Sequence, residues 1–152
     1  MELKLKPQFA EVIDNPALTD KEKLTFFLND MINHYNSNNR CTRPDDKSEC
    51  VYSPLTVGKT MEQTEGCAIG RLFEPDSAKE LDNFESGSLP GIIGDDKEKR
   101  IPEFFKTHVD FFYRLQQLHD LPYNWDEKGL SDSAHGEVRY ITARFITNEE
   151  GH

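Results

Sequence analysis

A chain of 152 residues can bury roughly two-thirds of its unfolded surface around a single core without staples. Its hydrophobic share is 36% and its charged share 30%, but ten Phe, five Tyr and one Trp carry large areas per residue, so an aromatic core is expected. A formal charge of −10 disfavours non-specific binding to DNA, RNA or anionic lipid, which depends on Lys and Arg displacing counterions, and leaves basic partners, cations or plain solubility.

Residues 1–18 read as an extended N-terminal segment. Thr19-Asp20-Lys21-Glu22 then forms a capping box, in which a hydroxyl and a carboxylate satisfy backbone donors at a helix start. Leu24, Phe27, Leu28, Met31, Ile32 and Tyr35 follow at helical spacing and predict an amphipathic helix over 20–36. Asn36-Ser37-Asn38-Asn39 ends it, because these side chains compete with the helical backbone for hydrogen bonds. The charged, Pro-containing run from Arg40 to Lys47 suits an exposed connection. Glu49 to Tyr52 reads as a short strand, stopped by Ser53-Pro54 because Pro cannot donate to a ladder. Residues 55–65 read as a loop or the far half of an irregular hairpin.

Gly66-Cys67-Ala68-Ile69-Gly70-Arg71-Leu72 sets a thiol and two glycines into an apolar run. Glycine serves where another backbone or a ligand approaches closely, so something is expected to press against this stretch. Seven residues are too few for periodicity to separate strand from short helix. Pro75 to Leu81 has the start signals for one or two helical turns, while Gly87, Pro90, Gly91 and Gly94 make residues 83–99 a loop. Ile101-Pro102-Glu103 opens a second strong helix, whose residues Phe104, Phe105, His108, Phe111, Phe112, Leu115 and Leu118 form a broad apolar face down to His119. Leu121-Pro122-Tyr123-Asn124-Trp125 is a turn. Ser131 or Ser133 caps a third helix with the stripe Ala134, Val138, Ile141, Phe145.

The expected fold is therefore mainly α (α+β): a single domain over 1–152, with three principal helices near 20–36, 102–119 and 132–147. A small β element lies around the aromatic core, and residues 48–73 pack beside it. The long connections 37–48 and 83–100 are where binding surfaces tend to lie.

Three cysteines, Cys41, Cys50 and Cys67, make an odd number without a C-x-x-C pair, so no disulfide framework is expected. Zinc would suit them by ligand type, but their separations in sequence do not match the close pairs of structural sites, so neither a metal nor another cofactor is expected. Met1 to Pro7 lacks the apolar core of a signal peptide, and no run approaches a membrane span. The expected location is the cytoplasm, with no membrane partner.

Cys67 raises the sharpest catalytic hypothesis: a thiolate at a helix start, His119 as base, and Asp120 or Asp110 orienting the imidazole, as in a cysteine hydrolase or transferase. Buried free cysteine also behaves as a small hydrophobe, and neighbours 119 and 120 diverge by about 100° on a helix, so packing is the favoured role. For a small anionic ligand the candidates are Arg71, Arg114, Arg139 and Arg144, whose guanidinium forks grip phosphate bidentately, with Tyr52, Tyr123 or Trp125 to stack on a base. Two or more of these arginines meeting in one pocket would be the sign of such a site. The pairs Asp45-Asp46, Asp95-Asp96, Asp126-Glu127 and Glu149-Glu150 leave an acidic nucleic-acid mimic as an alternative function.

Cys50-Val51-Tyr52, the Cys67-Ala68-Ile69-Gly70-Arg71-Leu72 segment and Leu115-Gln116-Gln117-Leu118-His119-Asp120 with Asn124-Trp125 resemble a loose group of small bacteriophage and bacterial proteins of unknown function. The shared pattern is a C-x-Y strand, a C-A-[IV]-G-x-L segment and a later L-Q-x-x-H-D helix end, between about Glu49 and Trp125. The resemblance favours a helix starting near Cys67 and implies a phage or mobile-element context, without a catalytic residue to carry over. The expected function is accordingly that of a non-enzymatic accessory protein in the host cytoplasm. It would bind a host protein with a basic surface or a small anionic signalling ligand, with an anti-defence role as one form of this, and no direct contact with nucleic acid.

Overall fold

Pro7 starts the first helix because its missing N–H falls where an α-helix has no acceptor for it. The computed structural model describes residues 2–35, 52, 67–84 and 88–147. Within them the helices are α1 (Pro7–Asp14), α2 (Asp20–His34), α3 (Pro75–Asp82), α4 (Leu89–Asp95), α5 (Glu103–Thr107), α6 (Val109–Asp120) and α7 (His135–Ile141). The strands β1 (Trp125–Asp126) and β2 (Gly129–Leu130) pair antiparallel, with Trp125 opposite Leu130.

The mainly α fold with a small β element and an aromatic core is thus as expected, with changes in where the pieces lie. Residues 1–18 are extended only at their start. There Lys6 N–H donates to Leu72 O at 2.9 Å, Glu74 N–H to Lys4 O at 2.8 Å and Leu3 N–H to Arg100 O at 2.8 Å, before α1 begins. Among the described residues the sheet lies at 125–130; of the expected strand Glu49–Tyr52 only Tyr52 is described. The expected loop 83–99 contains α4: Ser88 accepts from Gly91 N–H, Pro90 lies in the first turn where it costs no hydrogen bond, and Leu89 and Ile92 are buried. The expectations for Asn36–Asn39, the connection 37–48, Cys41, Cys50, residues 53–66 and Glu149-Glu150 fall outside the described residues.

Helix α2 has the predicted capping box, Thr19 Oγ1 accepting from Glu22 N–H at 3.1 Å and Glu22 Oε1 from Thr19 N–H at 2.9 Å. It buries Leu24, Phe27, Leu28 and Met31. The expected helix 102–119 is two helices, because His108 has non-helical dihedrals (φ −112°, ψ 34°). Adjacent residues on a straight helix diverge, and the break lets Phe104, Phe105, Phe111 and Phe112 all enter ring contacts. The third helix spans the expected length in three forms, a 3₁₀ turn at Asp132–Ala134, α7, and a wider π turn at Thr142–Thr147 that packs on α2. Phe27 and Phe112 stand at the centre of the core, 5.7 Å apart, and Phe84 aside every phenylalanine packs ring to ring with another.

Candidate functional site

The Cys67 segment is an interior junction. It makes a single turn, Arg71 N–H donating to Cys67 O at 2.9 Å, and ends in a 3₁₀ turn at Gly70–Leu72. Cys67 is 1% exposed, so the thiol opens no long helix and faces no solvent. The close approach expected at these glycines is found at Gly70, whose α-carbon faces the Tyr52 backbone: a Cβ there would stand 2.5 Å from the Tyr52 carbonyl carbon, and closer to its oxygen. Tyr52 is buried. Its N–H donates to Asp82 Oδ1 at 2.8 Å, its hydroxyl accepts from Gln116 Nε2 at 2.5 Å, and Gln116 Oε1 accepts from Leu89 N–H at 3.2 Å. The Tyr52 backbone therefore ties the junction to α3, and its side chain, through Gln116, to α6 and α4.

Burial pushes the Tyr52 phenol well above the usual tyrosine range, the neighbouring Cys67 adds to the rise, and the Gln116 hydrogen bond opposes it. A raised folded-state value gives stability that is intact below the unfolded-state value of about 10 and is lost as pH climbs beyond it, because the unfolded chain ionises there and the folded chain does not. This group can contribute at most about 1.4 kcal/mol of loss per pH unit. Tyr52→Phe is expected to cost about 1–3 kcal/mol at neutral pH by removing the buried hydroxyl that accepts from Gln116 Nε2, and to flatten the alkaline limb of stability. Urea midpoints from neutral to strongly alkaline pH test this, and equal alkaline slopes in both proteins would reject it.

The other predicted residues do not gather into a ligand site. Arg71 is buried, pairs with Asp30 and lies over the Phe9 ring at 5.2 Å, linking the junction to α1 and α2. His119 is fully buried, its ring edge-on to Tyr35 at 4.6 Å. Its Nδ1 meets Asp120 Oδ1 at 2.9 Å, so the two neighbours expected to diverge touch, Asp120 being the last residue of α6 with a short side chain that folds back. Trp125 and Asn124 are buried caps. The indole N–H is shared between Leu118 O and His119 O, both at 3.1 Å, and Asn124 Nδ2 donates to Leu118 O at 3.1 Å, satisfying carbonyls that the end of α6 leaves open. Asp96 of the pair Asp95-Asp96 is also buried and accepts from Ile101 N–H at 2.8 Å, so it anchors a turn, while Asp95 is exposed. Among the described residues no cluster of three or more His, Cys, Asp and Glu can hold a metal ion, and no helix is long and apolar enough to cross a membrane.

Tyr123, just before the two buried caps, points the other way and is 67% exposed. Its turn is held by Asn124 N–H to Leu121 O at 3.1 Å, Ser131 N–H to Asn124 O at 2.7 Å and Ser131 Oγ to Tyr123 O at 2.8 Å. It stands at one end of a groove between α6 and the α7–π segment. Two adjoining pockets, about 340 and 310 Å³, share Arg114 and Gln117. The first also has Leu121, Tyr123, Asn124, Ser133 and Glu137, and the second Asp110, Tyr113, Tyr140, Arg144 and Phe145. Of the four exposed large hydrophobic residues described, Leu121, Tyr123 and Tyr140 lie here, leaving only Phe26 elsewhere. Arg114 lies over the Tyr140 ring at 4.8 Å, with Glu137 at 3.6 Å from one nitrogen, and Arg144 lies over Phe145 at 5.4 Å.

No family model, curated protein or solved structure matches the chain. The groove therefore has to be read from its own chemistry. Two of the four candidate arginines, Arg114 and Arg144, meet in one pocket, while Arg71 is committed to the interior. Tyr113, Gln117, Glu137 and Tyr140 are groove residues that sequence reasoning missed. Asp110, Tyr113, Arg114, Gln117 and Leu121 fall on one face of α6 by helical spacing, opposite Phe112 and Leu115, and that spacing was the available signal. Tyrosine and arginine are the residues that carry most energy in protein contacts, whereas a mere solvated face favours Lys and Glu.

Proposed function

We propose that this chain is a non-enzymatic accessory protein of a phage or mobile element that acts by docking a host protein in the α6–α7 groove. The observation that carries the reading is the convergence of Tyr123, Tyr140, Leu121 and two ring-stacked arginines on a surface of an otherwise strongly acidic chain. The phage context rests on the motif resemblance. The burial of Cys67 and His119 supports a packing role for both, since a nucleophile needs access to its substrate.

The double variant Tyr123→Ala/Tyr140→Ala is expected to stay folded with a small change in thermal midpoint, neither ring belonging to the buried core, and to weaken partner binding at least about a hundredfold. Affinity capture from host lysate with both proteins, quantified by mass spectrometry, measures the difference. Partners retained equally by the variant would exclude the groove as the docking face. Cys67→Ala that folds normally and removes a measurable activity would instead restore the cysteine-enzyme reading.

A further inference from the structure

We infer that the groove takes an uncharged segment of the partner, anchored by one Phe, Trp, Leu or Met side chain in the pocket beside Tyr123; this rests on the groove being the docking face. Two arginines, Arg114 and Arg144, and two carboxylates, Asp110 and Glu137, line the groove, so their charges cancel. The lining therefore adds nothing to the chain's −10. A neutral surface is complementary to a neutral segment, and it gives neither an acidic nor a basic one a net attraction at contact.

The central charges are also engaged with each other. Arg114, which lines both pockets, lies over Tyr140 at 4.8 Å and has Glu137 at 3.6 Å from one nitrogen, both side chains of the pair being only partly exposed. A charged side chain laid over this pair gives up its water and finds each ion already facing its counter-charge, and a charge buried without a partner of its own is costly. An acidic side chain gains Arg114 only at the expense of Glu137. A basic one is attracted by the chain as a whole, but the screening length is about 8 Å at physiological salt, and at contact it meets Arg114. Asp110 and Arg144 are exposed and opposite in sign, so the rim favours neither.

What is left to recognise a partner is apolar surface and uncharged hydrogen-bonding groups. Leu118, Leu121 and Tyr123 line the pocket of about 340 Å³, which takes the anchor, and Gln117 and Ser133 in the same lining offer an amide and a hydroxyl to a segment's backbone. Along the rest of the groove the guanidiniums of Arg114 and Arg144 lie over the rings of Tyr140 and Phe145. A stacked guanidinium is planar and weakly hydrated, so it adds flat contact area without demanding a counter-ion from the partner. A free metabolite would be mostly enclosed by its site, roughly 70–90% of its surface in ordinary small-molecule pockets. Here Tyr123 stands two-thirds in solvent and the pockets form an open trough, a shape suited to a chain segment laid along it.

A random-peptide display library panned on the full chain at physiological salt, with Tyr123→Ala/Tyr140→Ala as the counter-screen, tests the assignment. Peptides that depend on the groove are expected to share an uncharged stretch around a Phe, Trp, Leu or Met. Their affinity should change less than about threefold between about 0.15 and 1 M salt, over which the screening length falls from about 8 to about 3 Å. An Asp or a Lys placed beside the anchor of such a peptide is expected to weaken binding at least about tenfold. Glu137→Gln removes one side of the cancellation, and should recover most of the Asp loss and none of the Lys loss. Groove-dependent peptides rich in acidic or basic residues, an affinity that falls more than about tenfold at 1 M salt, or an Asp loss that is the same on Glu137→Gln would each overturn this inference and leave the docking face standing. A library yielding no groove-dependent peptide would overturn both. Circular dichroism melting of each variant separates lost binding from lost folding.

Discussion

Gly70→Ala is expected to destabilise the protein by more than about 4 kcal/mol, placing it among the most damaging single substitutions the chain can carry. The added methyl would overlap the Tyr52 carbonyl, and backbone atoms cannot swing aside as the end of a side chain can. Relief requires moving the 3₁₀ turn at Gly70–Leu72 or moving Tyr52. The first disturbs Arg71 with its Asp30 pair and the Lys6 N–H to Leu72 O bond. The second breaks the Asp82 and Gln116 hydrogen bonds in a buried setting, where stranded polar groups cost about 1–3 kcal/mol each. Gly94→Ala is the matching control: Gly94 lies in α4 with open space where a Cβ would go, so the helix should gain up to about 1 kcal/mol. Urea unfolding of both variants tests the pair, and a Gly70→Ala loss below about 1 kcal/mol would mean that the junction yields.

What was legible in the sequence had local causes. The capping box at Thr19 and the apolar stripe of α2 report on residues three and four apart, and the structure places them as the spacing requires. The glycines around Cys67 announced a close approach, although only the fold could supply Tyr52 as the neighbour. The missed features depend on distant partners. Helix α4 reads as a loop because Pro90, Gly91 and Gly94 are poor helix formers, yet burial of Leu89 and Ile92 and the hydrogen bond from Leu89 N–H to Gln116 outweigh their propensities. The break at His108 is invisible to a periodicity that simply continues through it. The groove was half legible: Arg114 and Arg144 stood out as anion holders, but their meeting depends on how α7 and the π turn lie against α6. Tyrosine and tryptophan serve both cores and surfaces, so Tyr52 and Trp125 pass as stacking residues in the sequence, and only their burial places them in the core.

Phe112→Ala is expected to cost about 3–5 kcal/mol, the range for emptying a buried aromatic site. The ring is fully buried and meets Phe105 at 4.6 Å, Phe111 at 5.2 Å, Phe27 at 5.7 Å and Phe104 at 6.0 Å, so its removal takes a neighbour from each of four rings on three helices. Those helices are held by backbone bonds of their own, which limits how far the cavity can close. The thermal midpoint should fall by about 6–20 °C for a chain of this size, read by calorimetry or circular dichroism. The same substitution separates the two faces of α6. Phe112 faces the core, and Arg114 and Gln117 face the groove, so molecules that remain folded well below the lowered midpoint should bind the partner with unchanged affinity. Tyr123→Ala/Tyr140→Ala should do the reverse, changing the midpoint little and losing the partner. If Phe112→Ala weakens binding at a temperature where the protein is fully folded, the groove is set by the packing of the core and not by the face of α6 alone.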